Sequence, residues 1–322
     1  MSTAPLVSII LPTFDRLQYL KPAVDSVVSQ TFADWELIVA DDGSGAETRA
    51  YLSALQCMPR VKVVWLEHQG NPAVARNRAL REARAPYVAF LDSDDLWMPS
   101  KLELQLAAMR ARKDRSWSYT EFIRIDPSGA SIDFQRNPDR VLHEGRIVEP
   151  LLRLTSGIAM PTVMVETDLL NSAGGFDERL TLHEDYELWL RLALLSEVSV
   201  VRQPLACVRR HDEHFSSSGA RSYEARCRVF KKMREALSDP HDSAILENEW
   251  ARSMASLALA NAAAGNRRAM WNSLASGWAH SWRNLRWYPR AARAVVRSLA
   301  PTWLVAAARG RRRAESAARG RS

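Results

Sequence analysis

The sequence predicts an α/β protein with a mostly parallel central sheet flanked by helices, followed by an α-helical region. Three observations carry this. Short β-branched runs alternate with amphipathic segments through the first third of the chain. The conspicuous polar clusters fall just after the predicted strands. Beyond about Tyr223 the pattern becomes almost wholly helical. Strand, helix, strand in alternation means βαβ units, whose ligands bind beyond the carboxyl ends of the strands.

The elements follow in order. Leu6–Pro12 (LVSIILP) is a short apolar run closed by proline, a buried-strand signal. The next segment has Leu20, Val24, Val27 and Val28 at helical spacing. Trp35–Ala40 is a second strand and runs into Asp41, Asp42, Gly43 and Ser44. Val61–Glu67 is a third strand, Ala73–Arg84 a helix, and Tyr87–Asp92 a fourth strand. From Arg115 to Pro161 the pattern is less regular, with a turn at IDPSGAS. A strand, a short helix and a Gly174-Gly175 turn precede a helix over His183–Leu195, whose stripe is Leu188, Leu192 and Leu195.

Composition narrows the class. Of 322 residues, 47% are hydrophobic, ordinary for a globular chain with a full core. The three cysteines lack CxxC spacing, which argues against a disulfide framework or zinc site and fits a reducing compartment. No basic leader precedes the first apolar run, so no signal peptide is expected. The longest apolar stretches fall short of the roughly 20 residues of a spanning helix.

The net charge of +7 is unevenly spread. Gly265–Ser322 holds thirteen arginines, no lysine and one acid, giving +12, and the remainder carries −5. Arg283, Arg286, Arg290, Arg293 and Arg297 share one helical face, interrupted by Pro289, so two short helices are expected. Trp271, Leu274, Trp278, Trp282 and Leu285 make an apolar stripe just before. This pattern suits an anionic membrane surface. Helices packed on the preceding domain are the alternative. No recognition module accompanies the charge, so nucleic acid is not expected.

Three polar clusters at equivalent strand ends point to one crevice: Thr13 and Phe14, then Asp41 and Asp42, then Asp92 to Asp95. Asp92, Asp94 and Asp95 lie within four residues and repel one another, so something positive must neutralise them. Arginines, a helix N-terminus or a divalent metal would serve.

In the order VSIILPTFDR, IVADDGS, NPAVARNRAL, VAFLDSDDLWMPSKLE and GGFDERLTLHEDYELWLRLA, the chain resembles family 2 glycosyltransferases with the GT-A fold. The resemblance spans about Leu6–Ser217. It implies a domain over 1–217 that binds a nucleotide sugar; pattern and composition add a basic, Trp-rich helical region over 218–308 and a low-complexity tail over 309–322 that is expected to be disordered. Asp92-Ser93-Asp94 resembles the family's DxD motif. The resemblance implies that Asp94 ligates Mn²⁺ or Mg²⁺ and that Asp92 contacts the ribose. Hard cations prefer carboxylate oxygens, and a diphosphate leaving group needs its charge neutralised. A helix-capping acid cluster is the alternative and accounts for Asp95 better than for Asp92.

By the same resemblance Asp42 accepts a hydrogen bond from the nucleobase, Pro12, Thr13 and Phe14 line the donor pocket, and Asp41 is structural. A plain Asp-Gly-Ser turn is the alternative there. Arg76 is expected near the diphosphate, or else on a helix surface. Ala73 stands where the family usually has glycine, so a stiffer loop is expected. Glu184-Asp185 matches the family's ED motif, with Glu184 toward substrate and Asp185 as general base of an inverting transfer. Acids favouring a helix N-terminus are the alternative. His211 would face the diphosphate or serve as a further metal ligand, with a surface histidine as the alternative. His68 and His183 carry less expectation.

The expected activity is metal-dependent transfer, with inversion, from a nucleotide-diphosphate sugar to a saccharide or lipid-linked acceptor in surface polysaccharide or glycolipid synthesis. The expected location is cytoplasmic, peripheral on the inner face of the membrane. A sugar nucleotidyltransferase would want a glycine-rich loop after strand one, which LPTFDRLQYL lacks. A non-catalytic nucleotide-sugar-binding or scaffold protein is the rival from another class, and Asp94 and Asp185 argue against it.

Overall fold

The computed structural model describes residues 4–132, 141–210, 219–281 and 288–299. The chain divides into two compact units, Met1–Phe215 and Ser216–Ser322.

In the first unit, eight strands form one sheet: β1 (Val7–Thr13), β2 (Trp35–Asp41), β3 (Val61–Trp65), β4 (Tyr87–Phe90), β5 (Leu96–Trp97), β6 (Trp117–Ile125), β7 (Val163–Glu166) and β8 (Val198–Arg209). Their spatial order is β3-β2-β1-β4-β7-β6-β8-β5. β7 runs antiparallel to both β4 and β6, and β5 antiparallel to β8, while the other pairings are parallel. The sheet is therefore mostly parallel, as expected.

The helices of this unit are α1 (Leu17–Val28), α2 (Ala46–Leu55), α3 (Pro72–Leu80), α4 (Lys101–Ala111), α5 (Val148–Leu152), α6 (Thr167–Ala173) and α7 (Glu184–Leu195). Local chemistry marks two of their ends. Asn71 caps α3 by accepting the Ala73 N–H at 3.0 Å, with Pro72 pre-set at the first helical position. The αL glycine Gly174 (φ +82°) ends α6. α2 escapes the sequence reading because only Thr48, Leu52 and Leu55 are buried along it.

The central strands are apolar on both faces because both faces are covered. Val7, Ile9 and Leu11 share a cluster with Leu37, Val39, Leu102 and Leu106. The intervening Ile10 is equally buried. Trp117 and Trp189 stack with centroids 6.2 Å apart, and Trp189 also meets Phe90, which fixes α7 to the sheet.

Register places the site. Thr13 and Asp41, the last residues of β1 and β2, are direct partners, and the Leu91 N–H donates to the Ile10 carbonyl at 3.0 Å. The three polar strand ends therefore open onto one edge of the sheet.

The second unit contains α8 (Ala220–Ala236), α9 (Pro240–Ala264), α10 (Arg267–Ser281) and α11 (Tyr288–Leu299). Asp239 caps α9, Pro240 opens it, and the αL Gly265 closes it. Ala251, Ala255, Ala258 and Ala262 make a small-residue stripe on α9 that packs against Met270, Leu274, Ala291 and Ala294. Leu274 is buried, but Trp271 and Trp278 are 53% and 50% exposed. Trp282, Arg283, Leu285, Arg286 and the segment 309–322 lie outside the described residues.

Candidate active site

The β1–α1 loop carries three side chains in three directions. Phe14 stacks on His68, ring centroids 4.0 Å apart at 23°. Asp15 sits in the left-handed region (φ +45°), where a non-glycine residue is strained. It is held there from both sides: its N–H donates to Ser44 Oγ at 2.9 Å, and its Oδ1 accepts the Gly45 N–H at 2.7 Å. Arg16 then places a guanidinium nitrogen 2.5 Å from Asp94 Oδ2. Pro12 and Thr13 lie behind Phe14 on β1, and Thr13 Oγ1 is buried without a hydrogen-bond partner.

After β2, the buried Asp41 accepts the Ser44 N–H at 3.2 Å and shapes the turn. Asp42 accepts the Gln69 N–H on Oδ1 and the Gly70 N–H on Oδ2, both at 2.9 Å. The His68 Nδ1 lies 2.9 Å from the Asp42 carbonyl and 3.2 Å from its carboxylate. Gly43 has φ +83°, and a Cβ there would lie 2.8 Å from the His68 nitrogen. Glycine is required at this close approach. Phe14, Asp42 and His68 thus form one subsite with an exposed aromatic face, Phe14 being 40% exposed.

The acid-rich loop follows β4. Arg76 on α3 is almost fully buried and bridges two elements, donating to Asp92 Oδ1 at 2.7 Å and Glu184 Oε1 at 2.8 Å. Its guanidinium lies over the Phe176 ring. The two carboxylates hold the Arg76 pKa above its ordinary value despite burial. Asp95 Oδ1 accepts the Arg209 N–H, and Arg209 Nε donates to the Asp94 carbonyl, both at 2.8 Å. Burial raises the Asp92 carboxyl, opposed by Arg76. Burial, then Asp94 and Asp92, raise Asp95 well above the usual range.

α3 is also pinned to the segment that leads into α7. Asn71 Nδ2 donates to the Glu178 carbonyl at 2.7 Å, and Asn77 bonds both the N–H and the carbonyl of Phe176. His183, at φ +61°, turns the chain into α7. Glu184 is buried and Asp185, half-buried, stands beside it. The Asp185 carboxyl is pushed up to about 7, by burial first and then by the charge of Glu184. A carboxylate that titrates there suits proton transfer near neutral pH.

Pro12, Thr13, Phe14, Asp42, Arg76, Asp92, Asp94, Glu184 and Asp185 therefore lie along the carboxyl edge of one sheet and on the two elements that Arg76 joins. His211 lies outside the described residues. Arg16, His68 and Arg209 are additions from the structure. An arginine just past the first strand end, facing an acid cluster, was a usable sign for Arg16. Nothing local signals Arg209, whose side-chain hydrogen bonds reach 82 or more residues away.

The donor set of the acid loop suits a hard divalent cation. It offers carboxylate oxygens alone, two of its carboxyls are pushed up by burial and by their acidic neighbours, and the third has already drawn a guanidinium. No three His, Cys, Asp or Glu side chains converge on one metal position among the described residues.

Comparison with known proteins decides the class. The family model described as glycosyl transferase family 2 matches residues 8–127. WfgD of Escherichia coli, a UDP-Glc:α-D-GlcNAc-diphosphoundecaprenol β-1,3-glucosyltransferase, is 33% identical over 202 residues, covering 63% of this chain and 75% of that protein. This chain belongs to glycosyltransferase family 2. Solved structures with this fold include TarS residues 1–349 of S. aureus in complex with UDP-GlcNAc, at TM-score 0.63 and 19% identity over 86% of this chain and 91% of that one. The mannosyltransferase PcManGT from Pyrobaculum calidifontis, in complex with GDP-Man and Mn²⁺, superposes at TM-score 0.58 and 18% identity over 92% and 88%. The first unit of this family 2 enzyme accordingly has the GT-A fold expected from its sequence.

Proposed function

We propose that this glycosyltransferase moves a sugar, with inversion, from a nucleotide-diphosphate sugar to a hydroxyl of a saccharide or lipid-linked acceptor. One observation supports this most: Arg76 draws the DxD aspartate Asp92 and the α7 acid Glu184 to one point, beside Asp185. Phe14, with Asp42 behind it, offers a face for the nucleobase, and the orphaned Thr13 Oγ1 offers a hydrogen bond at the end of β1. Asp94 is the carboxylate that would hold Mn²⁺ or Mg²⁺, with Asp92 toward the ribose and His211 as a further candidate ligand. Such a cation, when bound, neutralises the diphosphate leaving group. Asp185 takes the acceptor hydroxyl's proton as that oxygen attacks the anomeric carbon. Its raised pKa fits that task, and an in-line attack opposite the leaving group gives inversion.

Surface polysaccharide or glycolipid assembly is the proposed context, in line with the diphosphoundecaprenol acceptor named for WfgD. The proposed location is the inner face of the membrane, held peripherally by the second unit. Trp271, Trp278, Val296 and Leu299 expose apolar surface there, and Arg267, Arg268, Arg293 and Arg297 supply charge for anionic lipid. Among the described residues, no helix is long and apolar enough to cross a membrane.

The test is thermal stabilisation by UDP-, GDP-, dTDP- and CDP-sugars, with and without Mn²⁺, on wild type and Asp94→Asn. A ligand at 100 times its Kd adds about 2.7 kcal/mol. A metal-dependent shift from one sugar nucleotide, lost in the variant, is expected. Shifts that are equal in both proteins would refute the role of Asp94.

A further inference from the structure

Three arginines serve the acid loop, and they are held differently. Arg76 and Arg209 are 5% and 3% exposed, each fixed by several acceptors. The Arg16 side chain is 27% exposed and places its guanidinium directly on Asp94 Oδ2 at 2.5 Å. Its Cα follows Asp15, whose left-handed backbone is bolted to Ser44 and Gly45. The root of Arg16 is therefore fixed, and its side chain is the most solvent-exposed of the three. The Asp94 side chain is itself only 9% exposed, so the Arg16 guanidinium covers Oδ2 where little solvent reaches.

We propose that Arg16 is a displaceable counter-ion: it neutralises Asp94 until a divalent cation arrives, then turns to the diphosphate that accompanies the cation. This rests on the reading of Asp94 as the metal ligand. A cation bound at Oδ2 would meet the guanidinium nitrogen at contact distance, and two like charges repel there. Arg16 must therefore yield that oxygen. The nearest new anion is the diphosphate, for which a guanidinium is well shaped. The device keeps a buried carboxylate compensated in both states. It also makes metal and nucleotide favour each other, because the nucleotide gives the displaced arginine a partner.

The experiment measures Mn²⁺ binding to the full chain from the EPR signal of free Mn²⁺, with MnCl₂ alone and with UDP or GDP present. Wild type, Arg16→Gln, Arg16→Lys and Asp94→Asn are compared, with circular dichroism confirming that each is folded. The expected result is that Arg16→Gln binds Mn²⁺ alone about tenfold more tightly than wild type, since a competing charge-assisted bond is gone. Arg16→Lys should fall between. With Mn²⁺ present, the nucleotide should bind Arg16→Gln more weakly than wild type. Arg16→Gln with unchanged or weaker Mn²⁺ affinity, while Asp94→Asn loses Mn²⁺, overturns this inference and spares the metal reading. Asp94→Asn binding Mn²⁺ as tightly as wild type overturns both.

Discussion

Arg76 and Glu184 stand 108 residues apart in the chain, and their side chains meet at 2.8 Å. The same guanidinium holds Asp92 at 2.7 Å, so one buried cation joins the loop after β4 to the start of α7. Removing it strands two carboxylates. Arg76→Gln should cost about 3 kcal/mol or more in urea unfolding, as breaking a buried ion pair does. It should also abolish transfer. Arg76→Lys should rescue neither fully, because a single ammonium cannot reproduce the planar fork toward two acids.

Asp185→Asn should lower turnover by about 10²-fold or more while leaving the nucleotide affinity near wild type. In the wild type, kcat/KM should rise with pH through about 7, the value to which burial and Glu184 push the Asp185 carboxyl against the opposing charge of Arg76. The active form is the carboxylate, so protonation below that value removes the base. The same shift makes the charged carboxylate a burden on folding. Stability from this group is present at low pH and is lost as pH rises toward about 7. Asp185→Asn should therefore raise the melting temperature more at pH 8 than at pH 5.

Lys101, fully buried on α4, gives a second pH signature. Its Nζ donates to Gln105 Oε1 at 2.7 Å and lies 4.2 Å from the centroid of the Trp97 ring. Burial lowers its pKa to about 7. The unfolded chain then binds the proton more tightly than the folded one, so stability should climb as pH rises from about 7 toward the ordinary lysine range. Lys101→Met should flatten that climb in urea titrations at a series of pH values. An unchanged slope would refute the assignment.

Gly43→Ala should destabilise the protein by about 1–3 kcal/mol, because alanine resists φ +83° and its Cβ would collide with the His68 backbone. Displacing His68 disturbs the ring stacked on Phe14. Affinity for the nucleotide, measured calorimetrically, should fall together with stability. His68→Ala should lower the affinity with a smaller effect on folding.

Replacing both Trp271 and Trp278 with alanine should weaken co-flotation with vesicles containing anionic lipid by tenfold or more, since each buried aromatic contributes about 1.5–3 kcal/mol. Vesicles of neutral lipid should bind the wild type poorly. Equal flotation of variant and wild type would contradict the membrane role of the second unit.

The parts legible in the sequence were those governed by local pattern. β1, β2, β3 and β4 announce themselves as β-branched runs, and their polar ends fall where ligands bind in such sheets. The α7 helix is evident from Leu188, Leu192 and its first-turn acids. What escaped depends on distant pairing. No periodicity says that β7 inserts antiparallel between β4 and β6, or that β6 pairs with β8 across a bulge near Glu121. His68 carried little expectation because, taken alone, it reads as a surface histidine. Only Gly43 and Phe14, 25 and 54 positions earlier, make it part of the site. Arg209 is silent for the same reason.

The bridge through Arg76 also bears on how such enzymes can be recombined. Apart from Glu184 and His211, the proposed donor-side residues precede β5, and the proposed base follows residue 183. A crossover within the irregular middle would exchange one half while keeping the other, a simple route to new pairings of donor and acceptor. The exchange succeeds only if the incoming first half brings an arginine matched to the acid at the start of α7. Asn71 and Asn77 add a second requirement, since both grip the Phe176–Glu178 loop of the other half. Compatibility between parental sequences is thus set by a handful of side chains on one nine-residue helix and its N-cap.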